Sequence, residues 1–353
     1  MNKSDYIIVG QGIAGTVLAY SLLKKGRSVT VIDDPTLSSC SRISAGNINP
    51  IVFKRLVKSW MADTVLPFAT AFYRDAEKLF ATELFLEKQV VKLFTEEQEK
   101  TFWKKKCAEG TAYVSDIFLD EFHNNELDNS MGAGVVNNAA NVMVNEFIEL
   151  TTIHLRKLKA VFPGTFDFQK LEIIDGEIKY NDLSAKRIIF CEGWKVMQNP
   201  YFSYLPLRPA KGEMLVVRIA DLELEDKIVH KGIFILPLGN NLFKVGATYD
   251  WEELNDVPTE KAKEQLIEKV KKVLKVPFEV DGHLAGVRPA VEDRRPLIGM
   301  HPEHKSLGIF NGMGTKGVML APYFADQFIE HMENNAPLDH EVDIRRYYHF
   351  YKN

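Results

Sequence analysis

Three glycines and one carboxylate carry the first chemical signal in the sequence. Gly10, Gly12 and Gly15 stand in the spacing GxGxxG, and Asp33 follows 23 residues after Gly10. The first glycine permits a tight turn, the second lets the main chain approach a pyrophosphate, and the third lets helix and strand pack closely. Ile13 and Ala14 fall where a helix would begin, and its free N–H groups and positive dipole end would meet the phosphates. Asp33, with Asp34 beside it, is placed to accept from ribose hydroxyls. This is dinucleotide chemistry, and at this level it suits FAD and NAD equally. The cysteines offer nothing comparable. Cys40, Cys107 and Cys191 are widely spaced, odd in number and form no CxxC pair, so neither a disulfide framework nor a zinc site is expected.

The elements that must position these residues can be read from the apolar pattern. Tyr6-Ile7-Ile8-Val9 is a short continuous apolar run, as a buried parallel strand requires, and TVLAYSLLKKG continues the glycine loop as a helix stopped at Gly26. Ser28–Ile32 reads as a second strand ending at Asp33-Asp34-Pro35, so the fingerprint sits in a βαβ context. Residues 36–50 are polar and rich in Ser and Gly, the signature of a long functional loop. Residues 54–80 and 141–160 read as helical, 165–191 as strands ending in the buried run Arg187–Cys191, 212–250 as antiparallel strands, and 258–274 as an amphipathic helix. NGMGTKG at 311–317 then leads into a last helix.

Bulk properties bound the class. A chain of 353 residues has room for about two domains of roughly 150 residues each. With 46% hydrophobic and 26% charged residues it is neither disordered nor fibrous. A net charge of −4 argues against bulk nucleic-acid binding. No apolar run approaches the ~18 residues of a membrane span, and the N-terminus lacks a signal-peptide core. A cytoplasmic protein without membrane association is expected.

The second half separates FAD from NAD. LRPAKGEMLVV (207–217), IVHKGIFILPLGNNLFKVGATYDW (228–251) and AGVRPAVEDRRPLIGMHPEHKSLGIFNGMGTKGVMLAP (285–322) join the N-terminal fingerprint and the SRISAGNINP loop. Together these segments resemble the D-amino-acid oxidase, glycine oxidase and sarcosine oxidase family of FAD enzymes, over nearly the whole chain and in the family's order. The resemblance implies an α/β chain in which a Rossmann-like, doubly wound FAD domain (1–80, 140–200 and 286–353) interleaves with an α+β substrate domain built on a large mixed sheet (81–139 and 201–285).

It also implies roles. Gly10, Gly12, Ile13, Ala14, Gly15, Asp33 and Asp34 would hold the ADP half of FAD. Arg42, Ser44, Ala45 and Gly46 fall in the family's second flavin-contacting segment, with Asn47 near the ring. Gly193 lies in the run Ile189–Trp194, which replaces the family's alanine-alanine-glycine-aromatic stretch. Gly312, Met313, Gly314, Thr315, Lys316 and Gly317 form a loop before a helix, where dipole and lysine would stabilise a reduced flavin. No cysteine stands just before that loop, so non-covalent FAD is expected. Arg288 matches the arginine that grips the substrate carboxylate, although Glu292 or Asp293 could instead claim it as an ion pair. Phe234 stands where glycine oxidases have a tyrosine, which removes one hydroxyl donor unless Tyr249 supplies it, and favours a bulkier amine; plain core packing would also suit it. Lys244 aligns with a lysine that promotes reaction with oxygen, whereas a strand lysine ordinarily faces solvent.

The expected reaction is oxidation of the C–N bond of an amino acid or secondary amine by hydride transfer to FAD, giving an imine that hydrolyses. O2 or another acceptor would then reoxidise the flavin. GMGTKG, VMLAP and the late PLDHEVDIRRYYHF also resemble the oxidase domain of the bifunctional enzyme that remodels wobble-uridine side chains in tRNA. Lys54, Arg55, Lys58, Arg345 and Arg346 would be the patch such a substrate needs. A non-catalytic flavin-binding protein and an NAD-dependent dehydrogenase are the remaining alternatives.

Overall fold

The computed structural model describes residues 2–37, 39–118, 120 and 122–351. Its first sheet is built around the strand Asn2–Val9, which pairs in parallel with Val29–Asp33 on one side and Leu183–Phe190 on the other. Val161–Pro163 extends the sheet beyond Val29–Asp33, and Leu307–Asn311 lies parallel to the end of Leu183–Phe190. The hairpin Leu171–Ile174 and Glu177–Tyr180, with Leu297–Met300, adds antiparallel strands.

Alternation along the central strand explains why this sheet is covered on both faces. Tyr6 and Ile8 enter a core shared with the helices Ile13–Lys24, Ala62–Phe80, Val144–Lys157 and Gly317–Asn334. Ile7 and Val9 enter the core on the opposite face, with Ile188, Phe190 and Phe202. A strand buried on both sides must be apolar at consecutive positions, as Tyr6–Val9 is.

The second sheet has nine strands. In spatial order they are Glu279–Arg288, Ala210–Arg218, Leu242–Gly246, Phe234–Gly239, Lys227–His230, Phe85–Leu93, Ala133–Val142 and Asn47–Ile48, with Val114–Ser115 also on Ala133–Val142. Pairing is antiparallel except between Lys227–His230 and Phe85–Leu93. One face carries a separate core in which Leu215, Val217 and Val245 meet Leu266 and Val270 of the helix Glu260–Lys271. The chain passes between the two sheets several times, and this mixed α/β fold is a Rossmann-like layer joined to a large mixed sheet. Two segments differ from the sequence-based expectation. Residues 54–61 are turns and short strands before a helix that starts at Ala62, and the polar loop at 36–50 contains a four-residue helix, Cys40–Ile43, and a strand, Asn47–Ile48.

Candidate active site

The parallel strands of the first sheet end at one edge, the place where open parallel sheets present their loops to ligands. Asn2–Val9 delivers Gly10, Val29–Asp33 delivers Asp33, and Leu183–Phe190 delivers Cys191, Glu192 and Gly193. These residues line one cleft of about 710 Å³. Gly12, Ile13, Ala14 and Asp34 line it too, as do Arg42, Ser44, Ala45, Gly46, Met313, Gly314, Thr315 and Gly317. Motifs three hundred residues apart in sequence therefore meet in space.

The glycine loop has the shape of a cradle. Gly10 takes φ +94°, and a Cβ there would lie 2.6 Å from the Cys191 carbonyl oxygen, so no other residue fits without displacing backbone. Gly15 does not line the cleft; it packs against the Gly10 carbonyl and lets the helix close on the strand. Gly12 caps the helix Ile13–Lys24 with no side chain of its own, and of the N–H groups at that N-terminus the Ile13 N–H is taken by Ser41. Asp33 accepts from the Gln11 N–H at 2.8 Å, and burial raises its carboxyl pKa. Asp34 is held by Thr36 and Thr165.

The serine-rich loop is tied in by its own hydroxyls. Ser41 Oγ accepts from the Ile13 N–H at 3.0 Å, and Ser44 Oγ donates to the Ser41 carbonyl at 2.8 Å. Arg42 pairs with Glu149. Lys244 does not line the cleft. Its ammonium donates to the carbonyls of Ile43 and Ser44 at 3.1 and 3.0 Å, and burial lowers its pKa. A strand of the second sheet thus caps the end of the short helix in the loop. Lys316 also lies off the cleft wall; it donates to Ser59 Oγ, and burial pushes it down to about 8. Gly312 stands behind the wall, its N–H bonded to Asn311 Oδ1, while Asn311 Nδ2 donates to the Gly193 carbonyl. Asn311 therefore ties two cleft loops together.

Arg288, Tyr249 and Phe234 line the other end of the cleft, on the second sheet. The Arg288 guanidinium lies over Gly212, where a Cβ would fall 2.0–2.2 Å from its atoms. Its polar contacts are weak, to the Lys211 and Thr248 carbonyls at 3.4 and 3.3 Å, and the Tyr249 ring covers it at 4.4 Å. Neither acid that might have neutralised it does so. Glu292 pairs with Arg208, and Asp293 with Arg346. Burial pulls the Arg288 pKa down, yet guanidinium remains charged at any working pH. It is a half-desolvated cation with no carboxylate partner among the described residues.

Two cleft residues carry no sequence signal. Glu192 is bonded to Asn199 Nδ2 at 2.7 Å, and burial raises its pKa to about 7. His230 lines the cleft beside Phe234. Of the three free cysteines, Cys40 and Cys191 line the cleft with thiols whose pKa burial raises, Cys40 to about 11.

A chain with this fold and this cleft belongs to the FAD dependent oxidoreductase family, whose model matches residues 5–330. It is an FAD-dependent enzyme, which sets aside the NAD-dependent and non-catalytic alternatives. The chain is 23% identical over 356 residues to the glycine oxidase of Bacillus subtilis (strain 168), covering 90% of each chain. It is also 23% identical over 350 residues to the tRNA 5-methylaminomethyl-2-thiouridine biosynthesis bifunctional protein MnmC of Marinobacter nauticus, spanning 54% of that protein. Among solved structures, the glycine oxidase of Geobacillus kaustophilus superposes with a TM-score of 0.80 at 19% identity, covering 98% of both chains. Among the described residues, no helix is long and apolar enough to cross a membrane.

Proposed function

We propose that this enzyme oxidises the C–N bond of a small amino acid or secondary amine whose carboxylate is held by Arg288. The unpaired guanidinium at the sheet end of the cleft carries this reading. A half-buried cation without a counter-ion is costly, and a planar fork open to the cleft is matched by a bidentate carboxylate. The glycine oxidase relative has an amino acid in its name, in keeping with this ligand class.

FAD, when bound, supplies the two-electron acceptor. Gly10, Gly12, Ile13 and Ala14 would face its pyrophosphate, Asp33 its ribose, and the loop Ser41–Gly46 with Met313–Thr315 its remaining length. The cradle at Gly10 and the helix end at Gly12 fit such a group. Protonated thiols at Cys40 and Cys191 are poor nucleophiles, which supports non-covalent binding. Arg288 orients the substrate, Tyr249 screens the guanidinium from water, and Phe234 supplies an apolar wall. Oxidation of a neutral amine needs no strong base, and among the described residues none is bonded to Arg288. We further propose that the domains interleave as the two sheets do.

The similarity to MnmC supports a tRNA-directed alternative. Against it, Lys58 pairs with Asp63, Arg345 with Asp343 and Arg346 with Asp293. Three of the five cations expected to form a patch are thus already neutralised, so we favour a small molecule.

The test is Arg288 itself. Arg288→Ala is expected to weaken transition-state binding by about 2–5 kcal/mol, since it removes one side of a desolvated charge pair. Arg288→Lys keeps charge but not the fork and should raise KM sharply. FAD content should be unchanged in both. Unaltered turnover of an amino acid by Arg288→Ala contradicts the assignment.

A further inference from the structure

The cleft extends well past Arg288 along the second sheet. Strand register places Met214 opposite Gly246, Gly246 opposite Phe234, Phe234 opposite His230, and His230 beside Lys92. Residues in such a row project from the same face of a sheet. Met214, Gly246, Phe234 and His230 all line the cleft, as does Gly232, which has no side chain to close that end. From Met214, two residues along its strand from the Gly212 that lies beneath the Arg288 guanidinium, to His230 is three strand spacings, about 14 Å at ~4.8 Å each. A glycine-sized molecule gripped by Arg288 would leave most of this floor uncovered.

His230 is unusual at its end of the row. Its Nδ1 is buried with no hydrogen-bond partner, out of reach of anything in the cleft, so Nε2 is the ring nitrogen left to meet a ligand in the cleft that His230 lines. Its ring packs on Phe53 at a centroid distance of 4.6 Å. Burial, reinforced by the Lys92 ammonium, holds the imidazole pKa down at about 4, so the ring is neutral at physiological pH. The neighbouring cations are already used. Lys92 is bonded to Glu99 and to the Leu93 carbonyl, and Lys231 to Asp128. No free cation among these neighbours awaits a second carboxylate.

We propose that His230 contacts the substrate and selects, by a hydrogen bond, a neutral hydroxyl or carboxamide at the far end of an amino acid larger than glycine. The inference rests on the proposed function, in that Arg288 holds the carboxylate of the same molecule. The substrate lies along the row from Arg288 past Phe234, with its N-substituent or side chain ending at the imidazole. Phe234 supports the middle of the chain and offers no polar contact there, which is why the distal hydrogen bond sets the preference.

Two matched compounds test this: N-(3-hydroxypropyl)glycine and N-butylglycine, which differ by a hydroxyl in place of a methyl. With the FAD-loaded enzyme, the concentration dependence of anaerobic flavin reduction gives affinity and rate separately. The native enzyme is expected to prefer the hydroxyl compound about tenfold, chiefly in affinity. His230→Phe should abolish that preference, bringing the ratio between the two compounds to about one, with FAD retained. His230→Gln, which keeps a donor and an acceptor, should restore part of it. Equal handling of both compounds by the native enzyme, or a preference that survives in His230→Phe, overturns the proposal. So does failure of both compounds to reduce the flavin; in that case reduction by sarcosine or proline would show that the proposed function stands without the His230 subsite.

Discussion

At the residue scale, the Arg288 guanidinium is held in place by missing atoms. Gly212 supplies the space in which the Arg288 head group lies, and the Tyr249 ring closes over it. Gly212→Ala would put a methyl group where the guanidinium now sits. A displacement of about 1 Å at a positioning group can cost about a hundredfold in rate, so this substitution is expected to raise KM and lower kcat/KM at least tenfold while FAD stays bound. Steady-state kinetics and flavin absorbance on the same preparation measure both. Native KM in Gly212→Ala would show that the guanidinium does not need this seat.

At the element scale, the two sheets are coupled through the serine-rich loop. Lys244, on the second sheet, caps the carbonyls of Ile43 and Ser44 at the end of the helix Cys40–Ile43. Lys244→Met removes both bonds and leaves two carbonyls without donors, a loss of about 1–3 kcal/mol. We expect a roughly tenfold weaker FAD affinity, read by titrating apoprotein with FAD; a solvent-facing lysine would give no change. The same scale explains what was legible beforehand. Gly10, Gly12, Gly15 and Asp33 could be read because strand, turn, helix and second strand are contiguous, so local pattern dictates their geometry. Arg288 and the loop at 312–317 could be read only through resemblance, since their meeting with Gly10 depends on how distant strands pair. His230 could not be read at all. Whether its ring faces the cleft or the Leu215–Leu266 core is settled by register with Phe234 and Lys92, and a shift of one residue would reverse it. Lys244 illustrates the same limit: its position on a strand was legible, but the carbonyls it caps were not.

At the scale of the whole molecule, folding buries a carboxyl that would rather be neutral. The pKa of Glu192 is about 7 in the fold against an ordinary 4.5. Between those values the native chain binds more protons than the unfolded one, so stability falls as pH rises through the window and the loss is complete above about 7. Glu192→Gln keeps an oxygen for Asn199 and removes the ionisation. Denaturant unfolding at pH 5 and pH 8 should show the variant gaining up to about 3 kcal/mol relative to native at the higher pH and little at the lower. An equal difference at both values would mean that Glu192 is ionised throughout. In the function proposed above, FAD faces a floor on the second sheet where Arg288 grips the substrate carboxylate. Anaerobic titration of the FAD-loaded protein with glycine, sarcosine, proline and D-amino acids, followed by flavin absorbance, tests that claim most directly. At least one of these amino acids is expected to bleach the flavin bands in the native protein and to bleach them far more weakly in Arg288→Ala. Flavin that stays oxidised with every one of them, or that is bleached equally well without Arg288, would contradict it.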